Sequence, residues 1–393
     1  MRLKKKALLV TTVSGFVPQF EISNVNILQE MGYEIHYAAN FNTPSYGSDN
    51  IKIEQIGIIQ HQIDFTRSPF KLQNIKVYKQ LKVLLDTEHF NIIHCHTPMG
   101  GVMARLTARH TKSTTIIYTA HGFHFFKGSP IINWLFYYPI EKFLSRYTNQ
   151  QICINREDFE LAKKKFYAKK VDYIPGVGIN INATKIKIDK DAKKKELGIS
   201  QDKIILLSSG ELINRKNHET VIRSIVELKN KYSNSTSIQF QYIICGHGKL
   251  DKYLQELVAK LDVSDCISFL GYRKDMMEIY QIADVFIFPS YQEGLPMALL
   301  EAMASGIPVI CSDIRGNRDL MSCRASQKIH FCDGGIMIKK ADDISAYSEA
   351  IHLITTNYAD MRKFGEWNRE RAKEFSKDYV EKCMKKIYSR WSN

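Results

Sequence analysis

The chain has 393 residues, more than a single core of ordinary size accommodates, and its 44% hydrophobic and 11% aromatic content argues against a disordered protein. A formal net charge of +14 suits an anionic partner, either nucleic acid or a membrane surface. The eight cysteines show no C-x-x-C spacing, so we expect reduced, buried thiols in a cytosolic protein rather than a disulfide framework.

The amino-terminal residues predict a strand and not a targeting segment. A basic start is followed by a short apolar run over 7–13, without the longer core and small-residue cleavage site of a signal peptide. No run of about 20 apolar residues occurs in the sequence, so a membrane-spanning helix is not expected.

Strand and helix signals alternate through the first half of the chain. The predicted strands include 7–13, EIHYAA, 51–58, NIIHCHT, TTIIYTAHG and QQICIN, and the predicted helices include 71–86 and 131–147. Strands separated by helices are typical of a doubly wound parallel sheet, which binds ligands at the carboxyl ends of its strands.

The segment 174–180 (IPGVGIN) interrupts this alternation with one proline and two glycines. A second alternating set begins at KIILLSSG, and helical patterns follow over 343–356, 358–373 and 377–391. The predicted fold is therefore α/β, with two Rossmann-like, doubly wound domains that face a central cleft.

Two loops of the first domain carry unusual residues. Gly15 follows the first strand, where a glycine often lets a phosphate approach the backbone, although a plain turn also explains a single glycine. The loop is not G-x-G-x-x-G, which argues against a dinucleotide-dependent dehydrogenase.

His121 ends a later strand and can act through its imidazole or its backbone. His94 and His96 share one face of their strand, but their spacing with Cys95 is not that of a zinc site.

The second domain has three such loops. In the segment 210–218 (GELINRKNH), Arg215 and Lys216 follow a strand and open a helix, so charge and helix dipole together favour a diphosphate; a solvated basic turn is the alternative. Gly246 ends the next strand in a position suited to close ligand contact. In the stretch 288–310, Glu293 and Glu301 are separated by seven residues, and Pro296 stands where a helix should begin.

These segments together resemble the retaining family 4 glycosyltransferases of the GT-B fold, of the type that builds bacterial exopolysaccharide and capsular polysaccharide. The pattern PSYQEGLPMALLEAMASGIPVI is similar to their paired-glutamate signature, GELINRKNHE to their Arg-Lys loop, and CGHGKL to their glycine loop. In the first half, TTVSGFVPQF, TAHGFHF and YIPGVGIN show the same likeness. The resemblance spans nearly the whole chain. It implies an acceptor-binding domain over 1–182, a nucleotide-sugar-binding domain over 183–375 and a helix over 376–393 that returns to the first domain.

The resemblance also implies a donor site. Arg215 and Lys216 would neutralise the donor diphosphate, Glu293 would contact the donor sugar, and His121 would lie beside the reacting sugar; these four are the expected catalytic residues. Glu301 would accept hydrogen bonds from the ribose hydroxyls. The other implied donor contacts are Gly15, Gly210, Gly246, Gly294, Leu295 and Pro296. With two cations on the diphosphate and no DxD-like motif, neither a metal nor a cofactor is expected.

Two departures from the family pattern affect these implications. Many members carry a pair of glycines where this chain has Gly15 alone, and a glycine-rich turn with a glutamate where it has 313–319 (DIRGNRD). The phosphate contact of the first loop and the donor contacts of the second are therefore open.

The run 123–138 is the most aromatic in the chain and has Lys127 and Lys142 beside it, while Lys71, Lys76, Lys79 and Lys82 lie on the helix predicted over 71–86. Aromatic side chains edged by cations suit the surface of an anionic bilayer, and a core helix with a solvated face is the alternative. No fold or aromatic platform for nucleic acid is evident, so none is expected as a partner.

The sequence thus predicts a hexosyl or N-acetylhexosaminyl transferase that uses a nucleotide sugar, UDP-linked in our expectation, and a polyprenyl-diphosphate-linked sugar acceptor. The expected location is cytoplasmic, peripheral on the inner face of the cell membrane. Two alternatives remain open: a nucleotide-sugar epimerase of similar two-lobed fold, and a non-catalytic nucleotide-sugar sensor.

Overall fold

A computed structural model describes residues 4–43, 53, 55–111, 113–232 and 239–392. The chain forms two compact units. Unit 1 comprises Met1–Gly178 together with Asp378–Asn393, and unit 2 comprises Ile179–Lys377. The divisions follow residues 178 and 377, whereas the sequence analysis places them after 182 and 375.

The described part of unit 1 contains one parallel sheet in the order β3-β2-β1-β4-β5-β6-β7. Its strands are β1 (Lys6–Val10), β2 (Glu34–Ala39), β3 (Ile59–Gln62), β4 (Ile92–Cys95), β5 (Thr115–Ala120), β6 (Gln150–Cys153) and β7 (Lys170–Tyr173). The helices between them are α1 (Ile22–Glu30), α2 (Gln73–Glu88), α3 (Pro98–Ala108), α4 (Ile131–Leu144) and α5 (Arg156–Lys165).

The first strand shows why this sheet is buried on both faces. Leu8 and Val10 belong to one apolar cluster, and Ala7 and Leu9 belong to another on the opposite side. A parallel sheet covered by helices needs such continuous apolar strands, which is the pattern the sequence shows. The strand predicted over 51–58 is wrong in its described part, because residues 55–58 form a helical end and a turn, and the third strand is β3. Residues 51, 52 and 54 lie outside the described residues.

Unit 2 contains a second sheet in the order β10-β9-β8-β11-β12-β14-β13. Its described strands are β8 (Ile204–Ser209), β9 (Phe240–Cys245), β10 (Ile267–Gly271), β11 (Val285–Phe288), β12 (Val309–Ser312), β13 (Ile329–Cys332) and β14 (Gly335–Ile338). Its described helices are α6 (Lys190–Glu196), α7 (His218–Tyr232), α8 (Asp251–Lys260), α9 (Met276–Ile282), α10 (Met297–Ala304), α11 (Arg315–Met321), α12 (Ile344–Thr356) and α13 (Tyr358–Ala372). The strands are parallel except β13, which forms an antiparallel hairpin with β14. The prediction of two doubly wound α/β domains is confirmed.

The last described helix, α14 (Lys377–Arg390), packs in unit 1. Its apolar face, which includes Val380 and Met384, joins the cluster that contains Ala7 and Leu9. Tyr388 is fully buried, and its hydroxyl oxygen lies 2.7 Å from His94 Nδ1. These contacts confirm the predicted return of the carboxyl-terminal helix to the first domain.

The cysteines are only partly as predicted. Cys323 and Cys332 form a disulfide, whereas we expected reduced thiols. The two Cα atoms lie 6.2 Å apart although nine positions separate them in sequence, and this distance suits a disulfide. The other six cysteines are free, and all but Cys383 are buried. Among the described residues, no helix combines the length and the hydropathy needed to cross a bilayer.

Candidate active site

The predicted donor residues of unit 2 lie on loops that follow β8, β9 and β11, at one edge of the sheet. Carboxyl ends of parallel strands meet at such an edge, which explains why residues far apart in sequence come together there.

The glycines after β8 and β9 pack against each other. Gly210 has φ +148° and Gly246 has φ +142°, and a Cβ on Gly246 would lie 1.9 Å from the Gly210 carbonyl oxygen. The Gly246 amide donates to the Gly271 carbonyl at 2.7 Å, so the glycine is needed for backbone packing. The donor contact of Gly246 stays a prediction.

Arg215 and Lys216 converge on one carboxylate oxygen. Arg215 Nη1 and Lys216 Nζ each lie 2.8 Å from Glu293 Oε1, and Glu293 is buried. Arg215 also donates to the Gln292 carbonyl at 2.8 Å, and Lys216 Nζ lies 4.7 Å from the centre of the Phe288 ring. Three residues predicted to act in catalysis are therefore in direct contact, and Glu293 holds the two cations together.

Glu301 lies on α10, directly after the loop that contains Gly294, Leu295 and the N-cap residue Pro296. Burial raises the pKa of its carboxyl group, and a hydrogen bond from the Tyr280 hydroxyl to Oε2 (3.2 Å) opposes this effect. Tyr280 is itself buried and lies 3.2 Å from Ser209 Oγ. A carboxylate with a single hydrogen-bonded tyrosine has capacity for further donors, such as the hydroxyls of a ribose.

The segment that departs from the family pattern lies directly against this loop. Arg315 is buried and donates its Nε–H to the Glu293 carbonyl at 3.2 Å. A Cβ on Gly316 would lie 2.5 Å from the Gly294 carbonyl oxygen. Arg315 and Tyr280 were not predicted as members of the site, because nothing in the local sequence pattern of either residue indicates which distant segment it contacts.

The two predicted site residues of unit 1 follow β1 and β5. Gly15 lies in a turn and accepts a hydrogen bond from the Gln19 amide (3.3 Å). His121 Nε2 lies 3.2 Å from His96 Nδ1. His94 is held by the Tyr388 hydroxyl group of α14 and by Thr119 Oγ1 at 2.8 Å, so hydrogen bonds within unit 1 account for this histidine.

Glu21 is a third acidic residue of interest, and unlike Glu293 and Glu301 it was not predicted from the sequence. It ends a π-helical turn (Val17–Glu21) and is only 1% exposed. Its Oε1 lies 3.5 Å from His96 Nδ1 and 4.0 Å from His121 Nε2. Burial raises the pKa of Glu21 to about 8 and lowers that of His121 to about 4.

Two groups of described side chains have donor atoms close enough to hold a metal ion. The atoms of Glu21, His96 and His121 all lie within 4.8 Å of one another, and so do those of Cys323, His330 and Cys332. In the second group the two cysteine sulfurs are bonded to each other.

Known protein families match both units. Residues 189–371 match the family model described as Glycosyl transferases group 1, and residues 5–155 match the model described as Glycosyl transferase 4-like. The glycosyltransferase EpsD of Bacillus subtilis is 36% identical over 392 residues, which cover 98% of this chain and 97% of that protein. An Escherichia coli enzyme named UDP-Gal:alpha-D-GlcNAc-diphosphoundecaprenol alpha-1,3-galactosyltransferase is 30% identical over 300 residues, 73% of each chain.

The fold has counterparts among solved structures. HepE of Anabaena in complex with UDP superposes with a TM-score of 0.76 at 15% identity, covering 98% of this chain and all of that one. At this identity the likeness concerns the fold alone. Together with the two family models and the relatives, it identifies the chain as a member of the group 1, family 4-like glycosyltransferases, a hexosyltransferase with the GT-B fold.

Proposed function

We propose that this enzyme transfers a hexosyl or N-acetylhexosaminyl group, with retention of configuration, from a UDP-linked sugar to a lipid-linked saccharide in bacterial surface polysaccharide synthesis. The observation that carries the proposal is the convergence of Arg215 and Lys216 on Glu293 at the carboxyl edge of the unit 2 sheet.

This arrangement suits a departing nucleoside diphosphate. Breaking the bond between sugar and phosphate places negative charge on the diphosphate, and preorganised cations stabilise that charge by a few kcal/mol for each donor. Glu293 holds the two cations in place before the donor binds, with the Lys216 side chain 12% and the Arg215 side chain 40% exposed. With Arg215 and Lys216 present, the diphosphate requires no metal ion.

Other groups of the site have matching roles in the proposal. Glu301 accepts hydrogen bonds from the ribose hydroxyls, and the free amides that precede α10, including that of Leu295, face the phosphates. Glu293 contacts the donor sugar through the carboxylate oxygen that the two cations leave available. His121 is assigned to the reacting sugar on the strength of the family resemblance.

The lipid-linked acceptor is supported by a relative and by a surface. The E. coli relative is named for a diphosphoundecaprenol-linked acceptor. In unit 1, α4 turns apolar side chains outward, with Leu135 64% and Phe136 51% exposed, and Leu72, the N-cap residue of α2, is 84% exposed. The helix α3 contacts both of these helices. Exposed Lys71, Lys79 and Lys127 lie in the same segments, so this surface suits the anionic inner face of a membrane.

The decisive experiment incubates the purified protein with a panel of labelled nucleotide sugars, with and without bacterial membrane extract. Transfer of label to lipid only when membranes are present supports the proposal. Conversion of the donor without an acceptor indicates an epimerase, and tight binding without turnover indicates a sensor. A Lys216→Ala preparation controls for a contaminating transferase.

A further inference from the structure

Glu21, His96 and His121 form a polar cluster inside unit 1, and the proposed function gives a role only to His121. The three residues come from separate elements: Glu21 ends the π-helical turn, His96 follows β4, and His121 follows β5. Their facing atoms are 3.2 to 4.0 Å apart. Glu21 and His96 are buried, whereas the His121 side chain is 24% exposed and links the cluster to the surface.

The backbone around the cluster is unusual on both sides. A π-helical turn is rare and is frequently found at functional sites, and here it places Glu21 in the interior. The residue after His96, Thr97, has φ +61°, a left-handed conformation that is unfavourable for a β-branched residue. Asn24 donates a hydrogen bond to Glu21 Oε2, so Oε1 is the oxygen that faces the two histidines.

A small cavity adjoins the cluster. Its volume is about 20 Å³, which is enough for one water-sized group. Met384 of α14 supplies part of the apolar wall, and the polar part comes from Glu21, Ser23, Asn24, Thr119, His121 and Glu381. The cavity therefore accommodates a hydroxyl group and not a whole sugar ring.

The charge state of the cluster matches a neutral ligand. Burial raises the pKa of Glu21 to about 8 and lowers that of His121 to about 4, and it lowers the pKa of His96 as well. At neutral pH the carboxyl group is therefore protonated and both imidazoles are uncharged. Such groups donate and accept hydrogen bonds without a net charge, which suits a hydroxyl better than a phosphate.

We propose that Glu21, His96 and His121 form a binding site for one hydroxyl of the acceptor saccharide. The hydroxyl enters the cavity beside His121 and exchanges hydrogen bonds with the His121 imidazole and the Glu21 carboxyl group. His96 is a positioning residue, which holds the other two through its Nδ1. This inference rests on the proposed function, since it names the part of the acceptor that unit 1 binds.

The same three donor atoms are spaced suitably for a transition-metal ion, but one observation disfavours a metal. A ligating histidine usually donates its second ring N–H to a partner, and His96 Nε2 is buried with no hydrogen-bond partner among the described residues. If a metal ion bound His96 Nδ1, the imidazole proton would lie on Nε2, as a buried N–H donor without a partner. Without a metal ion the proton can lie on Nδ1. Nε2 is then an unpaired acceptor, which costs less free energy than an unpaired donor.

The test measures binding of octyl glycosides of glucose, galactose and N-acetylglucosamine by saturation-transfer NMR, with UDP affinity as the check of folding. Glu21→Leu should weaken binding of the preferred glycoside about tenfold, the equivalent of one lost hydrogen bond to a buried group, without changing UDP affinity. Glu21→Gln should stay within about threefold of the wild type, because its amide also donates and accepts. Glu30→Gln, an exposed change at the end of α1, is the matched control.

Three results would overturn the inference. These are a wild-type protein that binds no glycoside of the panel, a Glu21→Leu variant that binds as the wild type does, or a Glu21→Gln variant as defective as Glu21→Leu. Stoichiometric zinc in the purified protein that Glu21→Leu removes would also overturn it, in favour of a metal site. Glycoside binding without transfer from any nucleotide sugar would leave this site standing and refute the proposed function.

Discussion

The Arg315 guanidinium donates a hydrogen bond to the main-chain carbonyl of Glu293, the residue whose side chain holds Arg215 and Lys216. A buried arginine thus fixes the backbone of the loop that organises the diphosphate cations. Small displacements of catalytic groups are costly, since a misplacement of about 1 Å can reduce a rate by about 100-fold. The segment that departs from the family pattern therefore supports the active site by positioning Glu293.

We expect Arg315→Lys to lower kcat by about tenfold or more and to change the KM for the donor less, because lysine keeps the charge but cannot reproduce the guanidinium geometry. Steady-state kinetics with the donor varied measures both constants. Arg324→Lys, at an exposed position after α11, is the control. Equal losses in kcat and in donor affinity would contradict a positioning role.

Substitutions of the two glutamates should have different kinetic effects. Glu301→Ala removes the proposed acceptor of the ribose hydroxyls, so UDP affinity should fall about tenfold. Glu293→Ala should abolish most turnover while UDP still binds, because Arg215 and Lys216 lose their carboxylate partner and remain available to the diphosphate. Calorimetric titration with UDP and single-turnover rates separate the two effects, and Glu256→Ala on the exposed side of α8 is the control. The same defect in both variants would refute this division of roles.

Glu21 should make stability depend on pH in a defined direction. In the unfolded chain its carboxyl group ionises above its ordinary value of about 4.5, whereas in the folded protein it stays protonated to about pH 8. The folded state therefore loses stability, relative to a non-titrating side chain, as pH rises from 4.5 to 8. The melting temperature of Glu21→Gln minus that of the wild type should increase over this range.

The buried histidines do not obscure this measurement. Burial lowers the pKa values of His94, His96 and His121, so they reduce stability as pH falls below about 6.5, but they do so in both proteins. A difference for Glu21→Gln that stays constant with pH would mean that the Glu21 carboxyl group is ionised in the fold.

Membrane binding should depend on the apolar face of α4. Changing both Leu135 and Phe136 to Glu places two anions on the exposed surface and should abolish flotation with vesicles that contain phosphatidylglycerol. The matched control is Phe331→Glu, at a side chain of unit 2 that is 51% exposed. Lys71→Glu with Lys79→Glu should weaken flotation more at low salt than at high salt. Unchanged flotation of the α4 variant would refute the membrane surface.

The elements predicted well from the sequence are those with strong local patterns. The two alternating sets of strands and helices, and the return of α14 to unit 1, follow from apolar periodicity and from the punctuation at 174–180. The antiparallel β13 was missed, because its residues Ile329–Cys332 are partly exposed and do not form the apolar run of a buried parallel strand.

Residues that act through distant contacts were not predictable in this way. Glu21 lies between Phe20 and Ile22 in an ordinary helical pattern, and only the π-helical turn places it against two histidines. Arg315 and Tyr280 join the donor loop through tertiary packing of separate elements. The disulfide between Cys323 and Cys332 likewise depends on the folded path of the chain between them, which their sequence spacing did not indicate.

The position of α14 has a consequence for how the protein is made. Tyr388 and its neighbours complete the core of unit 1, yet they follow all of unit 2 in the chain. During synthesis the first unit therefore remains open on one side until the second has been translated, with the space around His94 uncovered. Domains usually fold in the order in which they are synthesised. In this enzyme we expect the opposite order for the last folding step, in which the amino-terminal unit is completed after unit 2 has formed.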